Sequence, residues 1–301
     1  MEIRNRKSKI LLTFNITLFM KKSLLSMGVM LCCLLSTAYA QRFGKLLKDT
    51  PGAVSFTFRN EFSKDVPGTL DKVKAMGITN IEFSNLFGKT AAELRALLDE
   101  RGMRCSSLGV SFGDLSDKTE TVVQNAKTLG AEFVRIGSVP HKGPMDEALA
   151  KKTVEDFNRF GKKLKENGLT FCYHNHGFEF EPYEKGTYFD YIIQNTDADA
   201  VFFEMDVVWM HLPGQNPAEM LKKYPKRFKL IHLKDLKIGV PPSKAGSTPN
   251  ENCVVLGTGQ INYPEILKAA KKSAIKYYYI EDENLNAMQQ VPQSMVYLKS
   301  L

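Results

Sequence analysis

Two residues that can bind a metal stand at the ends of two short hydrophobic runs. The run at residues 201–206 (VFFEMD) ends in Asp206, and the run at residues 228–232 (FKLIH) ends in His232. Residues 216–224 between them have the spacing of a short amphipathic helix, which predicts a strand–helix–strand unit. The carboxyl ends of parallel strands share one face of a barrel, and carboxylate and imidazole are ligands for divalent metals. The stretch therefore indicates half of a metal site, although a surface Asp and a hydrogen-bonded His would fit the same pattern.

The same alternation of strand and helix runs through the chain after residue 41. Strands are predicted at residues 53–58, 80–84, 103–108, 132–136, 169–174, 201–206, 228–232 and 277–281. Helices are predicted at residues 65–76, 90–101, 116–129, 146–167, 187–195, 216–224, 263–272 and 287–298. Thr90 and Glu93 form a capping-box pattern, and a glycine ends four of the helices. Eight such repeats predict a single (β/α)8 TIM barrel, with a long loop at residues 237–259.

The first forty residues are predicted to be a signal peptide rather than part of the barrel, which then occupies residues 41–301. Met20-Lys21-Lys22 begins a basic segment, an apolar run follows, and Ala38-Tyr39-Ala40 is an A-x-A cleavage pattern. Residues 1–19 are interpreted as a start-site artefact. The apolar run is short for a membrane span, and no small residue precedes Cys32 or Cys33. We therefore expect an exported, periplasmic or secreted protein, in preference to a lipoprotein.

The net charge of +8 belongs mostly to this leader. Residues 1–40 hold six of the 41 Lys and Arg residues and one of the 33 Asp and Glu residues, so 35 basic and 32 acidic residues remain, a net charge of +3. A balance of this kind offers no case for a nucleic acid or membrane partner. Three cysteines remain, Cys105, Cys172 and Cys253, and an odd number does not indicate a disulfide framework. We expect buried thiols, with Cys172 in the barrel core.

Further polar residues gather where the predicted strands end. They are Arg59, Glu82, His141, His174, His176, Asp206, Trp209, His211, His232, Lys234, Glu281 and Glu283. All five histidines follow strands four to seven, a distribution that favours a functional face. For the peripheral members His141 and His211, a purely structural role is an equal alternative.

The segments that carry these residues resemble the sugar phosphate isomerase/epimerase superfamily, which has the xylose isomerase-like barrel. They are Tyr173-His174-Asn175-His176, Glu204-Met205-Asp206-Val207-Val208-Trp209, Tyr224-Pro225-Lys226-Arg227-Phe228, His232-Leu233-Lys234-Asp235 and Tyr279-Ile280-Glu281-Asp282-Glu283. The resemblance covers the chain after the leader and is most specific from 171 to 283.

The resemblance implies one divalent ion (Mn, Zn, Co, Fe or Mg) held by Asp206, His232 and Glu281. On strand five this sequence departs from the superfamily, since His174 occupies the position of the usual metal-binding Glu. The predicted ligand set is therefore His174, Asp206, His232 and Glu281, a mixed nitrogen and oxygen set. Ketose 3-epimerases use two metal-bound glutamates, and in this sequence His174 replaces one of them.

The remaining residues receive catalytic or substrate-binding roles in this prediction. Glu281 or His176 would move the proton, and Lys234 and Arg59 would stabilise an enediolate oxygen. The residues predicted to bind substrate are Arg59, Glu82, Trp209 and His211. Glu204 is expected to support a ligand from the layer below. The short Gly257-Thr258-Gly259 is weak evidence for a phosphate loop, so a phosphorylated substrate is not inferred.

Three functions stay open on this sequence. The first is a metal-dependent isomerase or epimerase that acts on a free sugar or sugar derivative by enolate-type proton transfer. The second is a lyase or hydratase for a keto-sugar, keto-glycoside or inosose. The third is a carbohydrate-binding barrel without catalysis. Each implies a small carbohydrate as partner, and a homo-oligomer is possible in each.

Overall fold

The computed structural model describes residues 43–47 and 49–301. The predicted signal peptide, its cleavage site and the proposed start-site artefact lie outside the described residues. Within the described part of the chain, none of the helices has both the length and the apolar character needed to cross a membrane.

Eight parallel strands close into one barrel, in the order of the chain. They are β1 (Gly52–Val54), β2 (Asn80–Phe83), β3 (Arg104–Val110), β4 (Phe133–Ile136), β5 (Thr170–His174), β6 (Val201–Asp206), β7 (Phe228–Leu233) and β8 (Tyr277–Ile280). The first strand pairs with both β2 and β8, which closes the sheet. The predicted (β/α)8 barrel is confirmed.

Helices cover the outside of the barrel. They are α1 (Arg59–Phe62), α2 (Val66–Ala75), α3 (Ala91–Arg101), α4 (Phe112–Asp117), α5 (Thr119–Leu129), α6 (Glu147–Glu166), α7 (Tyr188–Asn195), α8 (Val207–His211), α9 (Pro217–Lys223), α10 (Tyr263–Lys271) and α11 (Ala287–Ser300). The predicted capping box is present at α3, where the Thr90 hydroxyl accepts from the Glu93 N–H and the Glu93 carboxylate accepts from the Thr90 N–H. Gly102 then ends α3 at φ 61°, a left-handed conformation that glycine adopts without strain.

Three predicted segments differ from the observed ones. The strand predicted at residues 53–58 ends at Val54, and Ser55–Phe58 forms a 3-10 helix. The helix predicted at residues 116–129 is two helices, because the chain leaves helical geometry at Lys118 between α4 and α5. The loop predicted at residues 237–259 contains a short strand, Cys253–Val254, which pairs with Asp235–Leu236.

The barrel interior changes from apolar to charged along its axis. An apolar group fills part of it, formed by Val54, Phe133, Cys172, Leu230, Tyr277 and Tyr279. Because side chains alternate along a strand, the inward positions that follow Cys172 and Leu230 are His174 and His232. The expectation of buried, free thiols is confirmed at all three cysteines. The strands therefore carry the polar residues on top of a packed apolar base.

Candidate metal centre

The ends of four consecutive barrel strands bring His174, Asp206, His232 and Glu281 together. One ligand atom from each lies within 4.8 Å of the others. His174 ends β5, Asp206 ends β6, His232 lies near the end of β7, and Glu281 directly follows β8. All four are buried, with at most 7% of any residue exposed. The closed barrel thus gathers the four residues that were predicted as ligands.

The hydrogen bonds of this cluster leave room for a cation. Among the described residues, no hydrogen bond reaches either ring nitrogen of His174 or the Oδ2 of Asp206, although His174 Nε2 lies 3.4 Å and the Lys234 ammonium 3.3 Å from that oxygen. Buried polar atoms are nearly always paired, so unpaired atoms at one point require an explanation. Two imidazoles and two carboxylates are a donor set that divalent transition metals accept. The residues present therefore fit a divalent ion.

A buried lysine lies beside the two carboxylates of the cluster. The Lys234 ammonium lies 3.3 Å from Asp206 Oδ2, 3.1 Å from Glu281 Oε2 and 2.5 Å from Glu283 Oε1. Burial alone would lower the pKa of Lys234, but the neighbouring carboxylates raise it well above its usual value. Its ammonium also lies 4.6 Å above the Trp209 ring. Lys234 is therefore charged and held by the residues around it.

His232 connects the cluster to a second, deeper layer of charged groups. Its Nδ1 lies 3.1 Å from Glu281 Oε2, whereas its Nε2 lies 3.0 Å from Glu82 Oε1 and 3.1 Å from Glu204 Oε1. Burial disfavours the imidazolium, yet the carboxylates of Glu204, Glu281 and Glu82 raise the pKa of His232 well above its usual value. A carboxylate on the far nitrogen fixes the ring orientation of a metal-binding histidine. Glu204 occupies the supporting position predicted for it.

Arg135 balances the charge of this deeper layer and was not predicted from the sequence. Its Nη2 donates to Glu82 Oε1 at 2.6 Å, and its Nε lies 3.2 Å from Glu204 Oε2. The arginine and His232 hold the pKa of Glu82 below its usual range despite burial, while burial and the charge of Glu82 raise the pKa of Glu204 to about 7. The available sequence signal was a charged residue at an inward position of the apolar β4 segment FVRI.

His176 lies one step further out, next to the cluster. Its ring centroid is 4.9 Å from that of His174, and it stacks on Trp209 with 6.1 Å between centroids. Burial lowers the pKa of His176 to about 3, with a further contribution from His174. The imidazole is thus neutral near neutral pH.

A buried glutamate holds the chain at His176, and this residue too was missed. The His176 N–H lies 2.9 Å from Glu179 Oε1 and 3.2 Å from Oε2, and the Tyr173 hydroxyl donates to the same carboxylate. No part of Glu179 is exposed, and burial raises its pKa to about 7. Glu179 therefore fixes the turn that follows β5, which carries His176.

A cavity of about 460 Å³ opens above the cluster. Its walls include five of the predicted site residues: His174, His176, Trp209, His232 and Glu281. Arg135 and Glu283 also line it, as do the apolar side chains of Phe56, Val110 and Phe112. The volume is within the range that small-molecule sites occupy. The cavity provides space for a substrate in contact with the cluster.

Four other predicted site residues are neither in the four-residue cluster nor in the wall of this cavity. Glu82 and Lys234 are buried in the charge networks described above, and Arg59 donates to the carbonyl oxygens of Phe56 and Glu283. His211 lines a separate cavity of about 370 Å³ beside Asn216 and Gln260. Their roles remain predictions, and the packing of Glu82 favours support of His232 over a direct contact with substrate.

The Gly257-Thr258-Gly259 segment has its backbone donors occupied. The N–H groups of Gly257 and Gly259 donate to Asp235 Oδ2, at 2.8 and 3.1 Å. A side chain at Gly259 would meet Asp235 Oδ1 at 2.3 Å, which explains the second glycine. These amides therefore bind the chain's own carboxylate.

The chain belongs to the xylose isomerase-like TIM barrel family, since a sequence model of that family matches residues 70–301. Among curated proteins, it is similar to an inosose dehydratase of Geobacillus kaustophilus, with 25% identity over 205 residues, covering 58% of this chain and 66% of that relative. The chain spans about two thirds or less of the length of the first curated relatives that it matches.

Solved structures share the barrel over most of its length. A sugar phosphate isomerase/epimerase from Parabacteroides distasonis has a TM-score of 0.68 and 28% identity, covering 83% of this chain and 93% of that one. The IolI protein, solved with a bound zinc atom, has a TM-score of 0.65 and covers 83% of this chain and 95% of that one. Its identity is 16%, so that likeness concerns the fold alone.

Proposed function

We propose that this protein is a metal-dependent lyase. It removes a proton next to the carbonyl of a cyclic keto-sugar, keto-glycoside or inosose and expels an oxygen substituent from the neighbouring carbon. One C–H bond and one C–O bond break, and a carbon–carbon double bond forms. The oxygen substituent takes up a proton and leaves as water or an alcohol. From the sequence alone, an isomerase or epimerase is the first expectation and a lyase the second.

The pair of histidines at the end of β5 carries this proposal. An epimerase that works with two metal-bound glutamates needs a carboxylate where this chain has His174, and His174 lies within the ligand cluster. The neutral imidazole of His176 lies beside it and lines the cavity. One base next to one metal site suits an elimination, in which the same group takes the carbon-bound proton and returns a proton to the departing oxygen. The curated inosose dehydratase relative supports the same class of reaction.

The chain's own groups have separate tasks in this reaction. A divalent ion held by His174, Asp206, His232 and Glu281 would supply Lewis-acid polarisation of the substrate's oxygens. His176 accepts the proton. Trp209 lines the cavity and keeps His176 oriented by stacking.

Lys234 and Arg135 act through their neighbours. The Lys234 ammonium offsets the negative charge of Asp206 and Glu281. Arg135 does the same for Glu82 and Glu204, which keeps the His232 ring in place. Removal of either cation would leave buried carboxylates unpaired, which is costly in a site of low polarity.

A metal-dependent isomerase or epimerase is the second candidate. The observation in its favour is the Parabacteroides distasonis structure, which carries that name and is 28% identical over most of the barrel. Both reactions begin with the same proton abstraction, so the metal centre alone does not separate them.

The two candidates differ in their products. Metal-loaded protein is incubated with a methyl 3-keto-glucoside and, separately, with free ketoses. We expect ultraviolet absorbance of an enone and release of methanol from the first. The ketoses should show no epimer or aldose by NMR. Conversion of a ketose without any enone would reject the lyase in favour of the isomerase. The His176→Ala variant serves as the control for adventitious base catalysis.

A further inference from the structure

A second cavity adjoins the one above the metal cluster. It has a volume of about 450 Å³ and shares three wall residues with the first cavity: Ser84, Val110 and Ser111. Ser84 directly follows β2, and the other two lie at the end of β3. Because the walls are shared, a molecule that reacts at the cluster can extend into the second cavity without leaving the protein surface.

Four aliphatic side chains line part of the second cavity. Leu86, Leu108, Val110 and Val122 contribute side chains to it. Leu108 and Val122 belong to the buried core, whereas Leu86 and Val110 are half-buried. When a ligand removes half-buried aliphatic side chains on a concave surface from water, the free energy of the complex falls, which favours binding.

The charged groups at the edge of this cavity neutralise each other. The Lys118 ammonium lies 3.1 Å from Asp114 Oδ1, and the Ser111 hydroxyl donates to Asp114 Oδ2 at 2.7 Å. The remaining polar residues, such as Asn85, Thr121 and Asn125, are uncharged. Such a lining favours a neutral ligand over an anion or a cation.

Two phenylalanine side chains, Phe56 and Phe112, line the first cavity, and Val110, which both cavities share, is aliphatic. Phe56 is 37% exposed, one of the few large hydrophobic side chains that the described part of the chain leaves exposed. The Arg59 guanidinium lies 4.5 Å over its ring and holds it in place. Apolar side chains are therefore present in both cavities, Phe56 and Phe112 in the first and Leu86 in the second, with Val110 in both.

We propose that the second cavity is a subsite for the neutral, apolar or aromatic substituent of a glycoside substrate. This inference rests on the proposed function and specifies its substrate: the keto-sugar ring lies over the metal cluster, and the group that leaves occupies the subsite lined by Leu86 and Val110. A free inosose or monosaccharide would leave this cavity without a ligand.

Elimination rates test the subsite. Metal-loaded wild-type protein is assayed with methyl and phenyl 3-keto-glucosides, and kcat/KM is compared. We expect the phenyl substrate to be preferred by about 10-fold or more, because apolar contacts of this size discriminate to that degree. Each kcat/KM is divided by the rate of the uncatalysed elimination of the same compound. This corrects for phenoxide being a better leaving group than methoxide.

Substitutions at Leu86 locate the preference. Leu86→Trp fills the cavity and should remove the preference while the methyl substrate still reacts, and Leu86→Ala should reduce it. Leu285→Ala is the matched control, since Leu285 is 72% exposed and lines neither cavity. An unchanged preference in both Leu86 variants would overturn the subsite.

A binding measurement separates this inference from the proposed function. Titration calorimetry compares phenyl and methyl glucoside, which lack the keto group and do not react. Tighter binding of the phenyl compound by wild type, lost in Leu86→Trp, supports the subsite even if no elimination is observed. Equal binding of the two glucosides overturns it, even if the lyase reaction is confirmed.

Discussion

His174 and His176 are two residues apart on β5 and the turn that follows it, yet their surroundings differ. His174 lies in the cluster of candidate ligands; among the described residues neither of its ring nitrogens has a hydrogen bond, and its Nε2 lies 3.4 Å from Asp206 Oδ2. His176 lines the cavity and stacks on Trp209. The first position suits metal binding, and the second suits proton transfer to and from a substrate.

Substitution of each histidine should therefore affect a different property. His174→Ala should weaken metal affinity by about 10-fold or more, as loss of a ligand or its support does. His176→Ala should keep the metal and lower kcat by about 100-fold or more. Chelator competition and turnover measure the two effects. His141→Ala is the matched control, since His141 is exposed and its ring stacks on Phe178. Normal metal binding and turnover in both variants would show that these histidines are structural.

Glu179 should make stability depend on pH. Its pKa is raised to about 7, so the folded protein holds a proton that the unfolded chain releases at lower pH. The carboxyl therefore favours folding below its unfolded pKa of about 4.5, and this contribution is lost as pH rises toward 7. Between pH 5 and 8, Glu179→Gln should gain about 2 to 3 kcal/mol of unfolding free energy relative to wild type. Urea unfolding of the metal-loaded protein measures this; a difference independent of pH would contradict it.

The sequence predicted the four residues that cluster at the strand ends better than it predicted the residues that support them. Asp206 and His232 end apolar runs, which is a visible pattern. Arg135 acts through Glu82 and Glu204, which are distant in the chain. Glu179 acts through the backbone of His176, three residues before it, and that contact depends on the turn between them. Such pairings depend on which strands become neighbours and on where a turn bends. Residue type and spacing do not contain that information.

At the scale of elements, Asp235 ties the long loop to the end of β7. Its Oδ2 accepts from Gly257 and Gly259, and its Oδ1 accepts from Leu236 and Ile261, at distances from 2.8 to 3.1 Å. One carboxylate thus satisfies four backbone donors. The loop after β7 is thereby held beside Lys234.

Replacement of this carboxylate should destabilise the protein. In Asp235→Asn an NH2 group replaces one carboxylate oxygen. This group cannot accept a hydrogen bond, so two backbone N–H groups lose their acceptor. We expect a loss of about 2 to 3 kcal/mol in unfolding free energy. Urea unfolding compares this variant with Asp99→Asn, whose side chain is 66% exposed and should cost no more than about 0.5 kcal/mol. Equal stability of the two variants would show that Asp235 does not anchor the loop.

Element boundaries followed from the sequence where local chemistry sets them. The capping box at Thr90 and the glycine at 102 mark both ends of α3. The predicted strand at residues 53–58 extends beyond the end of β1, because the segment after Val54 fits a strand equally well. That segment forms a 3-10 helix, and the hydroxyl of its first residue, Ser55, accepts a hydrogen bond from the Ser84 N–H. This contact joins the ends of two strands, and the local sequence does not reveal it.

At the scale of the whole molecule, we propose that the barrel is exported after cleavage before Gln41. The basic Met20-Lys21-Lys22 start and the Ala38-Tyr39-Ala40 pattern motivate this proposal. Intact-mass analysis of the exported fraction should show a chain that begins at Gln41. Retention of residues 20–40 in that fraction would contradict it.

The most direct test of the metal centre is the metal content of purified protein. Elemental analysis should find one divalent ion per wild-type chain and a near-complete loss in Asp206→Ala. Asp190→Ala is the matched control: Asp190 is a buried capping residue of α7, paired with Lys223, and its variant should retain the ion. Circular dichroism establishes that each variant is folded. A full complement of metal in folded Asp206→Ala would contradict the assignment of this cluster as the metal centre.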